Sequence, residues 1–370
     1  MRNVLLNFEE LCARKIVIYG DGNSRHVFQS FVLNKINESN RPEIILVVDR
    51  KYSIEALTVD GLPATNPNKF MSAGDLTKNF PVVVCIGSTA DSKDVIDNLR
   101  ATGFNRVYSM YEFESFHCAY GSQDYEEVLE EINGRSTELN LIKDILSDDL
   151  SVLVFNQYFD TFRFRKIPTI FCSPKNDEQL GLEIGFFESL NKTNVLSCGA
   201  YTGDSVIRML DNISGEPESI VLIEPSIDSY EIMLKNLSNV RVSSKLIALP
   251  IGLSDEVQQI EFAGFGVTYK AEKNSKTPVS NRALFLPLDG LFSNFNFTHL
   301  LIDVEGNELK FLEGAKNIIR KYKPRICISA YHRPLDILDL AQSILRLNND
   351  YKLFLRNYSG VNTDTLLYAM

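Results

Sequence analysis

The chain is 370 residues long, 44% hydrophobic and 23% charged, which is enough apolar content for a large core and a length that suits two domains. Its 48 acidic and 38 basic residues leave a net charge of −10, and no lysine/arginine stripe that could neutralise a phosphate backbone is visible, so composition argues against a nucleic-acid partner. No run approaches the roughly eighteen apolar residues of a membrane span, and Met1-Arg-Asn-Val-Leu-Leu-Asn-Phe-Glu-Glu10 reaches acids too soon for a signal peptide. The expectation is a cytoplasmic protein with no membrane span, its six scattered cysteines reduced.

Lys15-Ile-Val-Ile-Tyr-Gly-Asp-Gly-Asn-Ser24 reads as a strand entering a glycine turn, helical apolar spacing follows to about Asn37, and Glu43-Ile-Ile-Leu-Val-Val-Asp49 reads as a strand ending in an acid. An element around residues 58–64, a strand at 81–86 followed by Gly87-Ser-Thr89, a helix to about Thr102 and a strand at 106–108 complete a predicted five-stranded Rossmann-like domain over residues 1–120. Gly20, Gly22, Arg25 and Asp49 form its candidate nucleotide site. Arg25 stands where Gly-x-Gly-x-x-Gly needs its third glycine and could pair with a phosphate, while Asp49 would hold a ribose, so NAD(P), a nucleotide or a nucleotide sugar is the implied ligand. A docking domain that kept the fold and lost the ligand is the equal alternative.

Residues 121–190 read as a helical connector and cover. Gly121-Ser-Gln123 is the linker, residues 123–150 carry Glu, Leu and Ile at helical spacing, and Phe155-Asn-Gln-Tyr-Phe-Asp-Thr-Phe162 is either helix packing or an aromatic cover on which a sugar could stack. The basic run Arg163-Phe-Arg-Lys166 reads as a solvated or interface segment.

The remaining residues, 191–370, carry the sharper pattern. Val195-Leu-Ser-Cys-Gly-Ala-Tyr-Thr-Gly-Asp204, Val221-Leu-Ile-Glu-Pro225 and Leu300-Leu-Ile-Asp-Val-Glu-Gly306 are apolar runs ending in small or acidic residues, as parallel strands do when their carboxyl ends open onto a ligand crevice. Ser197, Gly199, Ala200, Tyr201 and Gly203 supply the first strand end and its turn, and Glu224, before Pro225, can accept hydrogen bonds from two ribose hydroxyls. Asp204 puts a negative charge where a dinucleotide's pyrophosphate would sit. The residues therefore favour S-adenosylmethionine, an adenosine without phosphates that bears a cationic sulfonium.

From about residue 194 to 370 the chain resembles the FkbM family of S-adenosylmethionine-dependent methyltransferases, many of which act on sugars or glycan precursors. The resemblance rests on Gly199-Ala-Tyr-Thr-Gly-Asp-Ser205, Ile223-Glu-Pro225, Ile251-Gly-Leu-Ser254, Leu286-Pro-Leu-Asp289, Ile302-Asp-Val-Glu-Gly-Asn-Glu308, Leu312-Glu-Gly-Ala-Lys-Asn-Ile-Ile319 and Ile328-Ser-Ala-Tyr-His332, in the family's order. It implies an α/β chain of two Rossmann-like domains, the second a seven-stranded class I methyltransferase sheet with strands near 195–197, 219–223, 241–247, 299–302, 325–329, 351–356 and 365–369, the last two a hairpin. One position departs from the pattern: Ser197 stands where the family has Asp, at a cost of about 1–3 kcal/mol in cofactor binding. Residues 258–285, with Phe262-Ala-Gly-Phe-Gly266, are the expected acceptor-recognition insertion.

The implied activity is O-methylation of a sugar, glycan or nucleotide-sugar hydroxyl. Methyl transfer to a poorly acidic hydroxyl needs a positioned base. His332, with an ordinary pKa of about 6.5, is the expected base, and Asp303 and Glu305 are the alternatives. Asp303 is also placed to orient the methionine end of the cofactor or to hold a divalent metal. Glu308 reads as a helix-terminus acid. The expected partner is a small carbohydrate-type acceptor, and the chain is compatible with an oligomer. An NAD(P)-dependent sugar oxidoreductase working through the first domain and a non-catalytic scaffold are the competing readings.

Overall fold

The computed structural model describes residues 11, 15–33, 36, 38–52, 57–72, 78–86, 89–113, 124–165, 170–238, 240, 245–263, 270–271 and 281–370. The chain divides into two compact units, each assembled from three stretches of sequence. The first comprises Met1–Gly134, Asn156–Ile170 and Ser359–Asn362, and the second Arg135–Phe155, Phe171–Tyr358 and Thr363–Met370.

The first unit is built on strands β1 (Lys15–Tyr19), β2 (Glu43–Val48), β3 (Leu57–Val59), β4 (Leu62–Thr65), β5 (Val82–Val84) and β6 (Val107–Ser109). They form a six-stranded sheet in the order β3-β4-β2-β1-β5-β6, parallel except for β3. Side chains alternate across a strand, and β1 obeys this on both faces. Ile16 and Ile18 join a core with Phe28, Val32, Phe113 and Val361, while Val17 and Tyr19 join one with Val48, Phe70 and Phe104. The sheet has one strand more than expected because the element around residues 58–64 is a hairpin. Asp60 and Gly61 take φ of 51° and 76°, the two positive values that a tight two-residue turn demands and that an Asp-Gly pair supplies.

The second unit holds strands β7 (Asn194–Cys198), β8 (Ser219–Ile223), β9 (Lys245–Leu249), β10 (Gly252–Leu253), β11 (Gln258–Ala263), β12 (Lys270–Ala271), β13 (Asn281–Leu286), β14 (His299–Ile302), β15 (Arg325–Ser329), β16 (Leu353–Asn357) and β17 (Thr365–Ala369). Seven of them make the main sheet, in the order β16-β17-β15-β14-β7-β8-β9, with β17 antiparallel to both its neighbours. β8 and β14 are buried at every position and β7 and β15 at all but their first, so both faces of the sheet are covered. The third strand starts at Lys245; residues 241–244, where it was expected to begin, lie outside the described residues. The insertion forms its own four-stranded sheet, β10-β13-β11-β12, and Gly264, Phe265 and Gly266 of its expected recognition segment are not among the described residues.

Register sets the site. Cys198 pairs with Ile302 and Ile223, and Ile302 pairs with Ile328, so Gly199, Glu224, Asp303 and Ser329 leave or end their strands level at one edge of the sheet. The chain runs outward from β7 through β8 and β9 on one side and from β14 to β15 on the other. The boundary between β7 and β14 is thus a topological switch point, where α/β sheets bind ligands.

The aromatic stretch lies on the helix Asp149–Arg163, and Phe155, Tyr158, Phe159 and Phe162 are all at most 2% exposed. These rings are core and none is left to stack on a sugar, which settles the choice in favour of helix packing. In the basic run, Arg165 pairs with Glu126 and lies over the Tyr125 ring; Lys166 lies outside the described residues.

Candidate active site

The turn after β7 is shaped by backbone that other residues resist. Gly199 and Gly203 have φ of 74° and 80°, and Tyr201 between them takes 46°. A Cβ on Gly199 would lie 1.7 Å from the Asp303 carbonyl oxygen, so the glycine brings the turn against the end of β14. Gly199 and Ala200 donate their N–H groups to the Ile223 carbonyl at 2.9 and 3.0 Å, and the Gly203 N–H closes on the Ala200 carbonyl at 2.8 Å. Ala200 is buried. Asp204 opens the helix Asp204–Asn212 with its side chain 56% exposed, 3.6 Å from Arg208. Ser197 is buried within β7, below the turn.

Glu224 sits at the end of β8, 3% exposed. Its two oxygens accept the N–H groups of Tyr201 and Ser226, each at 2.8 Å, which ties the glycine turn to the second strand. Burial raises its pKa, and the two backbone hydrogen bonds act against that rise. Each oxygen keeps a lone pair for a ribose hydroxyl. Half-buried Pro225 follows, and Ser226 caps the helix Ile227–Leu237.

Asp303, Glu305 and His332 come together at the ends of β14 and β15. His332 Nε2 lies 3.4 Å from Asp303 Oδ1 and 3.5 Å from Glu305 Oε2, while its Nδ1 is 2.8 Å from Glu308 Oε1. The imidazole is fully buried, and the Asp303 and Glu305 side chains are 30% and 17% exposed. Glu305 has φ of 52° and Gly306 91°, a left-handed bend that turns the chain back into the cluster.

Electrostatics revises the expected base. Burial opposes a charge on His332, but Glu308, Glu305 and Asp303 around it prevail and push its pKa up to about 10. A raised pKa favours the charged ring, which has no lone pair with which to take a proton, and this weighs toward Asp303 or Glu305, the alternative bases. Asp303 is raised to about 6, mainly by burial, with His332 pulling the other way, and Glu305 is raised well above its usual range for the same reason.

Sequence reading missed the full role of Glu308. It does begin the helix Glu308–Gly314, but Oε1 also accepts the N–H groups of Val304 at 3.1 Å and Gly306 at 3.3 Å while holding His332. Buried Asp336 lies nearby, accepting the Arg333 N–H at 2.7 Å and its Nε at 2.8 Å. An acid one helical turn beyond another signals capping in sequence; only the fold shows that it faces a histidine.

The candidate nucleotide site of the first unit is organised inward. Arg25, 1% exposed, pairs through Nε with Asp21 Oδ1 at 2.7 Å and through its guanidinium with Asp60. Asp49 accepts the N–H groups of Asp21 at 2.7 Å and Lys51 at 2.9 Å. Lys51 Nζ and the Tyr52 hydroxyl also close on Asp21. Gly20 keeps its tight turn, at φ 109°, where a Cβ would meet the Cys85 carbonyl oxygen at 2.3 Å, but Gly22 is extended with open space around it. A cavity of about 330 Å³ remains beside Gly20, Arg50 and Asn98.

A seven-stranded sheet with one antiparallel strand, a glycine turn after its first strand and an acid at the tip of the second is the class I methyltransferase fold. Residues 197–353 match the family model described as the Methyltransferase FkbM domain. That stretch, less than half of the chain, is similar to FkbM methyltransferase domains. Among solved structures, a methyltransferase FkbM from Methylobacillus flagellatus KT superposes with a TM-score of 0.70 at 21% identity over 98% of this chain and 92% of that one, which shows a shared fold. Aeropyrum pernix fibrillarin, crystallised with natively bound S-adenosyl-L-methionine, aligns at 12% identity and a TM-score of 0.34 over 53% of this chain and 76% of its own. An rRNA methylase from Streptococcus thermophilus aligns at 13% and 0.34 over 51% and 93%. No curated protein matches the chain. Among the described residues no helix is long and apolar enough to cross a membrane.

Proposed function

We infer that the chain is an S-adenosylmethionine-dependent O-methyltransferase whose acceptor is a carbohydrate hydroxyl. The observation that carries this reading is Glu224, a buried carboxylate locked by two backbone N–H groups beneath the Gly199–Gly203 turn, one strand from the Asp303–Glu305–His332 cluster. Glu224 would hold the ribose diol and the turn the adenosine. Bound there, the cofactor supplies an electrophilic methyl group on a sulfonium. Asp303 receives the acceptor's proton as its oxygen is methylated, on the part of the carboxylate turned away from buried Oδ1. His332, fixed on its Nδ1 side by Glu308, stands 3.4 and 3.5 Å from Asp303 and Glu305. The carbohydrate acceptor rests on the resemblance of the second half of the chain to a family many of whose members act on sugars.

Calorimetry tests the placement. The parent should bind S-adenosylmethionine or its demethylated product, and Glu224→Ala should weaken that binding by about 1.5–3 kcal/mol for each charged hydrogen bond removed. Asp303→Asn should keep cofactor affinity and lower turnover about 10²–10⁴-fold. Undiminished binding by Glu224→Ala would contradict the ribose assignment.

A further inference from the structure

We propose that Asp303 Oδ1, Glu305 Oε2 and His332 Nε2 form a binding site for a divalent cation, with Mn²⁺ or Zn²⁺ as its natural class of occupant. Three observations converge on it.

The first is spacing. The three atoms lie within 4.8 Å of one another, with Nε2 at 3.4 and 3.5 Å from the two oxygens. A charge-assisted N–H···O contact draws its atoms to about 2.7–2.9 Å, as Glu308 does on the other ring nitrogen at 2.8 Å. The Nε2 side is too wide for that. Ligand atoms about 2.1 Å from a cation at roughly tetrahedral angles stand about 3.4 Å apart. The gap is that of ligands around an ion.

The second is satisfaction. Asp303 Oδ1 and Glu305 Oε2 are atoms closed off from solvent, and neither has a hydrogen-bond partner among the described residues. A buried carboxylate oxygen without a donor is costly, and here two such oxygens point at one ring nitrogen. The chain holds them there with backbone strain, since Glu305 takes a left-handed φ that a non-glycine residue adopts at a cost.

The third is what stands behind the histidine. Glu308, 1% exposed, meets Nδ1 and is itself fixed by the Val304 and Gly306 N–H groups. A carboxylate on the far nitrogen fixes the tautomer of a metal-bound imidazole and leaves Nε2 as the ligand atom. One imidazole with two carboxylates, both partly open to solvent, is a donor set for Mn²⁺ or Zn²⁺ with positions left for water or a hydroxyl. At this edge of the sheet such an ion would lower the pKa of a coordinated acceptor hydroxyl. In that respect the site rests on the methyltransferase reading, but its existence does not.

The test uses the full chain, stripped with EDTA. Mn²⁺ titrated into it, followed by calorimetry and by the loss of the free-ion electron paramagnetic resonance signal, should bind one equivalent. Asp303→Asn and Glu305→Gln should each raise the dissociation constant at least tenfold, and Glu308→Gln, acting through His332, about tenfold. Thermal melts in EDTA close to that of the parent show that the variants are folded. The nitrogen-15 shift of His332 Nε2 should move on adding Zn²⁺ while that of Nδ1 keeps its hydrogen-bonded value. Saturation failing at millimolar Mn²⁺ and Zn²⁺, or binding unchanged in both carboxylate variants, overturns the proposal. S-adenosylmethionine affinity, measured in parallel on the stripped protein, separates the two readings. Cofactor bound without the ion removes the metal site alone, and ion bound without the cofactor removes the cofactor reading alone.

Discussion

Gly199 and Asp303 meet where no side chain fits, and this close approach sets the glycine turn against the strand that bears the acid cluster. A Gly199→Ala variant must move backbone to relieve a 1.7 Å overlap and also takes on a left-handed φ, which by itself costs about 1–3 kcal/mol. At about 2–4 °C per kcal/mol, the melting temperature should fall by at least about 2 °C; a melt within 1 °C of the parent would show that the turn yields cheaply. At this scale the sequence disclosed most of the candidate site. Glycines, Glu224, Asp303, Glu305 and His332 all stand next to apolar strand runs, where residue type and strand-end position are visible together. Charge was not visible. The pKa of His332 is pushed up by Glu308, Glu305 and Asp303 against the effect of burial, and none of this shows in one-dimensional spacing, so an ordinary pKa was expected there.

β14 begins with His299, away from the acid cluster and with electrostatics opposite to those of His332. His299 stacks on Phe187 at 4.3 Å, its Nε2 lies 3.0 Å from the Phe186 carbonyl, and burial above all lowers its pKa to about 4. The unfolded chain therefore binds a proton near pH 6.5 that the folded chain refuses until about pH 4. This contribution to stability is intact above pH 6.5 and is lost progressively as pH falls towards 4, to a total of about 3 kcal/mol. Denaturant unfolding of the parent and of His299→Phe should diverge by about 1.4 kcal/mol per pH unit across that window, and parallel profiles would refute the assignment. Elements with a one-signal pattern were legible: β7, β8, β14 and β15 read directly as apolar runs. The β3–β4 hairpin was not, because each arm is only three or four residues long and the sole mark is Asp60-Gly61. In the sheet of β10, β11, β12 and β13, the two-residue strands β10 and β12 escaped for the same reason, since they carry no period.

Each unit is written in three separate stretches of sequence, six in all, so the chain passes between them five times. Val361 contributes to the same buried core as Ile16 and Phe28, and the Tyr125 hydroxyl donates to the Thr161 and Phe162 carbonyls at 3.0 and 2.8 Å, all within the first unit. A fragment of residues 1–134 thus lacks pieces of its own core. It should express as an aggregating or loosely packed species, with helical far-ultraviolet dichroism but weak near-ultraviolet signal, and a sharp cooperative melt from that fragment would contradict this division. The interleaving also reaches into heredity. No single cut in the gene separates the first unit from the second, since a piece ending before Ser359 lacks part of the first unit and one running past Asn362 carries most of the second. The first unit is therefore inherited together with the second, and the two evolve as one locus.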